Sequence, residues 1–258
     1  GVVVPEFTLK TYAQLLKPQN LYIILRAISM AAAVTLASAI VAFPIAYYAA
    51  RFAKGRWKAA FYLGVMLPLW SSYLVKVYAW KLILAKEGIV TWAANATHTG
   101  GLLDAVLALP VIGGNSLSTS YIGMFLVFVY IWLPYMILPM QASLERVPTT
   151  MLEASADLGA TRAQTFRTVI LPLIRPAFIS SMSYTFVRSM TAVSAIVFLI
   201  SAKWYHITIQ IYNFSENIRF GLASVLATAL IFIVLAVFGL MRLVVKQSEH
   251  LAKTVSVQ

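Results

Sequence analysis

Arg188 poses the sharpest chemical question in this chain. It stands near the middle of an apolar run, 177–200, and Ser181, Tyr184, Thr185 and Thr191 recur around it at helical spacing. A cation at the centre of a bilayer costs about 2.5–3.5 kcal/mol on insertion scales, so its default reading is functional. A second polar group lies in the apolar run 59–82, where Lys76 follows Ser72 by one helical turn and Trp70 and Tyr73 are close by. Hydroxyls, aromatic rings and two cations can hydrogen-bond, stack and attract anions. The two groups are expected to face each other, or the equivalent groups of a partner chain, across a route for a polar solute. A second role stays open for Lys76, whose long stem can snorkel toward the outer interface.

Covalent catalysis finds no support. His98, His206 and His250 are scattered, there are no cysteines, and no His/acid cluster has metal or triad spacing. No G-x-x-x-x-G-K-[ST] run occurs, so the chain carries no phosphate-cradling loop of its own. Of the 258 residues, 61% are hydrophobic and 11% are charged. A soluble domain has about 25% charged residues. The shortage of charge cannot cover a water-facing surface, so the solvent is lipid. The net charge of +12 is explained by basic residues flanking membrane spans rather than by nucleic acid.

The elements that position Arg188 and Lys76 follow from hydropathy. A span needs about 20 mostly apolar residues, and five segments qualify: 27–49, 59–82, 121–142, 177–200 and 221–241. None contains Asp or Glu. This predicts an all-α polytopic membrane protein forming one transmembrane domain over 1–258. Eleven Lys and Arg flank one side of the five spans and five flank the other. The richer side includes 51–58, 143–175 and the tail, which places them in the cytoplasm. The opening "GVVVPEF" then lies outside, and an upstream span leading from the cytoplasm is expected. Segment 7–17 puts Leu9, Tyr12, Ala13 and Leu16 on one face, suiting a helix along the outer surface. The glycine-rich stretch 84–120 reads as an irregular external loop.

One polar segment interrupts the apolar runs. In 143–176, Thr150-Met151-Leu152-Glu153 matches a capping box, and Thr161-Arg162-Ala163-Gln164 matches a second. Helix one is predicted to reach Leu158, with Gly159 ending it. Helix two is predicted to run toward Pro172, whose ring disfavours continuation. Met151, Ala154, Ser155 and Leu158 share one face, as do Phe166, Val169, Ile170 and Leu173. Such a hairpin, about 12 Å long in its first helix, can plug a groove on a partner or cap its own bundle.

The stretch "EASADLGATRAQTFRTVILPLIRP" resembles the EAA loop of permease subunits of bacterial ATP-binding-cassette importers. Glu153, Ala154, Gly159, Leu171 and Pro172 stand in register with that motif, while Ser155 and Val169 replace an Ala and an Ile. The segments "LPLWSSYLVKVYAW" (67–80) and the spacing of the spans resemble spermidine/putrescine-type permeases, and "FVRSMTAVSAIVFL" (186–199) resembles ferric-iron-type ones. The resemblance implies a type I ABC importer permease fold, with six spans where five are visible here. It further implies an inner-membrane subunit that is no enzyme and binds no cofactor, ATP and Mg being held by an ATP-binding subunit dimer. Glu153, Ala154, Ser155, Asp157, Leu158 and Gly159 would couple to that dimer. A second permease, expected to be a different chain, and an external solute-binding protein complete the assembly. Arg188 could then contact the second permease instead of cargo. The absence of acids from every span argues against a polyamine and for an anionic or zwitterionic solute such as a phosphonate, a carboxylate or a ferric complex. An ion-coupled secondary transporter, the rival class, would place acids and repeats at the midplane.

Overall fold

The computed structural model describes residues 11–110, 112–193, Leu199 and 206–255, with side chains as far as Leu243. The described residues contain helices and no strand. After a 3₁₀ turn at Tyr12–Leu16 come α1 (Pro18–Arg51), α2 (Gly55–Trp70), α3 (Tyr73–Ile83), α4 (Ile89–Ala96) and α5 (Gly100–Leu107). Then follow α6 (Tyr121–Glu145), α7 (Thr149–Asp157), α8 (Arg162–Thr165), α9 (Leu171–Thr191), α10 (Ile207–Glu216) and α11 (Phe220–Val255). Four helical rods among these residues are long and apolar enough to cross a membrane, and the bent pair α2–α3 makes a possible fifth. Lys10, Lys203, residues 7–10 of the surface segment and 194–198 and 200 of the expected fourth span lie outside the described residues.

The bundle is built on α1 against α6, with α9 packed on both. In lipid, helices gain nothing from leaving water, and close backbone approach is what drives their association. The buried face of α1 is accordingly small: Ala27, Ala31, Ala39, Ala42, Ala46 and Ala49. Met136, Met140 and Leu144 of α6 and Ile174 of α9 fill the space beside Ala39, Ala42 and Ala46. Nearer the other end, Met30 and Val34 meet Val127, Phe128 and Trp132. On α11, Ile231, Phe232, Leu235 and Phe238 point outward, a surface suited to hydrocarbon.

Several expectations are corrected. The run 59–82 is not one straight span, because α2 and α3 meet at a bend of 98°. Pro68 removes a ladder hydrogen bond, and Ser71 and Ser72 then take extended conformations. The stretch 84–120 is not irregular: α4, α5 and a 3₁₀ turn at Leu117–Thr119 occupy much of it. The first capping box does not form. α7 starts at Thr149 behind Pro148, and no side chain caps it. Nor does Pro172 end the second hairpin helix. A π turn over Phe166–Ile170 precedes it, and Arg162–Thr191 forms one continuous rod of 30 residues. Widening the turn before a proline relieves the clash between its ring and the carbonyl one turn back. Finally, α10 falls in a connection from which no element was expected.

Candidate functional site: the helical hairpin and the aromatic–cation cluster

The hairpin stands at the end of the bundle where α1 finishes. Arg51 there donates to the carbonyl of Val147 at 3.3 Å. α7 closes through Gly159, whose φ of +77° is in the left-handed region. The Gly159 N–H donates to the Ala156 carbonyl at 2.8 Å and the Ala160 N–H to the Ser155 carbonyl at 3.1 Å. These two bonds make a complete Schellman motif. The next helix opens with the predicted second capping box: Gln164 N–H donates to Thr161 Oγ1 at 3.3 Å, and Thr161 N–H to Gln164 Oε1 at 2.7 Å. Ser155, buried, is hydrogen-bonded to Thr165 at 2.9 Å and ties the two helices together.

What the hairpin leaves uncovered matters most. Glu153, Ala154, Asp157 and Gly159 are exposed, and Leu158 is 88% exposed. Met151, Ala154 and Leu158, with Val169, Pro172 and Leu173 opposite, line a groove of about 590 Å³. Of the first predicted face, only Ser155 is buried. The hairpin is nonetheless rooted in the bundle. Leu152 packs on the α1–α6–α9 core, and the ring of Phe166 meets Phe43 edge-on at 5.3 Å.

An acidic hub beside it was missed. Glu145, just beyond the predicted span 121–142, pairs with Lys58 at 2.9 Å. It also accepts from Tyr62 at 3.0 Å and Gln141 at 3.2 Å, so α2 is fastened to the turn leading into α7. The signal was a lone Glu among basic residues, easily taken for a solvated loop residue.

Within the bundle, the polar stripe on α9 divides. Tyr184, Arg188 and Thr191 are exposed on the chain's surface, whereas Ser181 and Thr185 are buried. Ser181 donates to the Ala177 carbonyl at 2.9 Å. The Arg188 guanidinium lies over Trp132 at 5.0 Å and over Tyr184 at 6.0 Å. Tyr184 adjoins Tyr135 at 5.1 Å, and Trp132 adjoins Tyr73 at 6.2 Å. Lys76 lies 5.9 Å from the Tyr73 ring. The two polar groups therefore do approach one another, through Trp132 and Tyr135 of α6, which sequence reasoning overlooked inside an unbroken apolar run. Trp70, 71% exposed, and Ser72 stay outside this cluster. Lys76 itself donates to the Pro68 carbonyl at 2.6 Å across the α2–α3 bend. With the Ser71 hydroxyl, which donates to the same oxygen at 3.0 Å, it satisfies a backbone acceptor that the bend has freed.

Four long apolar rods among the described residues suit a membrane component. Comparison with known families agrees: residues 42–249 match the family described as "Binding-protein-dependent transport system inner membrane component", and the chain belongs to that family. It is 56% identical over 184 residues to the inner membrane ABC transporter permease protein YdcU of Escherichia coli (strain K12), covering 71% of this chain and 59% of the relative. It is 30% identical over 178 residues to the spermidine/putrescine transport system permease protein PotB of the same organism, covering 67% and 59%. The chain thus spans about three fifths of the length of these curated relatives. Among solved structures, a bacterial ABC transporter involved in the import of the acidic polysaccharide alginate has a chain that shares the fold, with a TM-score of 0.67 at 18% identity, over 92% of this chain and 84% of that one.

Proposed function

We propose that this chain is a membrane-spanning permease subunit of a bacterial ATP-driven importer, and that its hairpin is where an ATP-binding subunit pushes. The observation that carries this reading is the α7–α8 hairpin. Its turn is closed by a Schellman motif and a capping box, yet its apolar groove and Leu158 stay uncovered. A hairpin that merely capped its own bundle would bury that face. Because α8 continues through the π turn into α9, a displacement of the hairpin is passed directly to the helix bearing Arg188. Glu153 to Gly159 form the coupling element, on the cytoplasmic side together with the C-terminus. ATP and Mg belong to the partner, since no phosphate-cradling motif occurs in the chain.

A second permease, different in sequence, faces the Tyr184–Arg188–Thr191 surface, and a solute-binding protein delivers cargo from outside. A solved relative of the same fold is a complex with an alginate pentasaccharide-bound periplasmic protein, which supports this last partner. Likeness to PotB favours a polyamine-type cargo. One observation favours an anionic or zwitterionic solute instead: the rings of Trp132 and Tyr184 already face the protein's own cation, Arg188, so they are not a vacant cage for a cationic solute.

The test is uptake by the reconstituted transporter carrying Glu153→Arg. Uptake should be lost while the subunits still insert into the membrane. Unimpaired uptake in this variant, or wild-type uptake that persists without ATP and collapses with an ionophore, overturns the proposal.

A further inference from the structure

The root of the hairpin is gripped by the connection that joins α1 to α2. Arg51, the last residue of α1, donates to the Val147 carbonyl at 3.3 Å. Lys58, at the start of α2, pairs with Glu145 at 2.9 Å. One turn further along α2, the Tyr62 hydroxyl lies 3.0 and 3.1 Å from the two Glu145 oxygens, so both side chains reach out from one face of that helix. Gln141, buried on α6, donates to the same carboxylate at 3.2 Å. Glu145 and Val147 bracket the turn between α6 and α7, and α7 begins at Thr149.

A lone exposed ion pair contributes little. Three donors converging on one carboxylate do more, because they fix its direction as well as its charge. The connections 51–58 and 143–148 hold five basic residues and no acid besides Glu145, so no second carboxylate there can replace it. The rest of α2 is loosely held. None of its residues is buried, and Phe61 and Val65 lean against the α1–α6–α9 core without being enclosed. An element with so little enclosed surface moves at low cost and follows what tethers it. At its far end the bend is braced, since Lys76 and Ser71 both donate to the Pro68 carbonyl. A displacement of α2 therefore reaches α3, and Lys76 with it.

We infer that Glu145 is a positioning residue for transport, handing movement of the hairpin to α2 and across the bend to Lys76. This rests on the coupling reading of the hairpin and extends it. The hairpin leads directly into α9 and Arg188; through Glu145 it also moves Lys76. One stroke then shifts both cations that flank the aromatic cluster, Lys76 beside Tyr73 and Arg188 over Trp132.

The experiment measures distances between paired spin labels in the reconstituted transporter, its ATP-binding subunits present, with and without ATP and vanadate. The chain has no cysteine, so each introduced cysteine labels it at one known place. Ile40→Cys on α1 is paired with Leu63→Cys on α2 or with Ser180→Cys on α9, all three positions being exposed. In this parent both distances should shift with nucleotide. Lys58→Met combined with Tyr62→Phe removes both α2 donors at positions that are not buried. The α2 shift should then be lost and the α9 shift kept, with less uptake per ATP. Glu145→Lys should also lose the α2 shift, and adding Lys58→Glu should restore it. A brace that only stabilised the fold would lower Tm and leave the nucleotide-dependent α2 shift in place. That outcome, or an α2 that stays still in the parent while α9 responds, overturns the inference. A parent in which neither pair responds refutes the coupling reading itself, and this inference falls with it.

Discussion

Gly159→Val tests whether the shape of the hairpin turn, and not merely its presence, carries the coupling. The backbone at Gly159 has φ +77°, and a Cβ built there meets no atom within 4 Å. The Cβ itself therefore meets no clash, and the first penalty on a side chain is that of backbone conformation. An L-residue forced into the left-handed region costs roughly 1–2 kcal/mol, and a β-branched one stands at the upper end of about 1–3 kcal/mol. The turn is held by two backbone hydrogen bonds, Gly159 to Ala156 and Ala160 to Ser155. A penalty of this size lowers the population of the closed turn about tenfold or more, at ~1.4 kcal/mol per tenfold. The core beneath, where Leu152 and Phe166 pack, is untouched. The expected outcome is a transporter that assembles and melts close to wild type, but hydrolyses ATP with little uptake. Gly159→Asn, which tolerates the left-handed region, should restore most of the coupling. Normal uptake per ATP in Gly159→Val, or an Asn variant as impaired as the Val one, would refute the reasoning.

Three further outcomes follow from the geometry. Arg188→Ala should lower uptake with the complex intact, and Arg188→Lys should recover part of it, because Lys keeps a cation over Trp132; a complex that dissociates instead would mark Arg188 as an interface residue. Lys76→Met removes one of the two donors to the Pro68 carbonyl, the Ser71 hydroxyl staying at 3.0 Å, and costs about 0.5–1.5 kcal/mol. A lowered Tm and a changed distance between spin labels on α2 and α3 would show it, and an unchanged label distance would show that the bend holds itself. His206, buried with Nδ1 on Thr208 at 3.0 Å, is pushed by burial from the ordinary 6.5 down to about 4. The unfolded chain therefore takes up a proton that the folded one refuses. His206 imposes no penalty above pH ~6.5, and stability falls as pH drops toward 4, by about 2 kcal/mol at pH 5. Melting in His206→Asn should lose this dependence, and a wild-type Tm that is flat between pH 7 and 5 would contradict it.

The hairpin was legible because its signals are local. Gly159 ends one helix, Thr161 and Gln164 start the next, and a residue four positions away is all that either needs. Spans 27–49, 121–142 and 221–241 were equally legible from apolar content, since a bilayer selects for length and hydropathy before anything else. At Thr150 the local rule failed. Pro148 cannot donate an N–H and is pre-set for a helix boundary, so α7 begins at Thr149, two residues earlier than the Met151 start the capping box requires.

Other features needed the fold. A proline and two serines in 68–72 fit equally well with a kinked span and with a 98° bend. What fixes the bend includes Lys76 reaching back to Pro68, a contact between side chain and backbone that no hydropathy count contains. Likewise, Trp132 and Tyr135 look like two more apolar residues until α9 lays Arg188 and Tyr184 against them. Sequence by itself determined that this chain belongs in lipid and carries a capped hairpin, because the solvent and the caps act on each segment separately. Only tertiary structure decided which polar residues meet, that the hairpin is continuous with the helix bearing Arg188, and that Lys58 and Tyr62 of α2 converge on Glu145. Those outcomes depend on where helices cross, which is set by side chains distant in the chain.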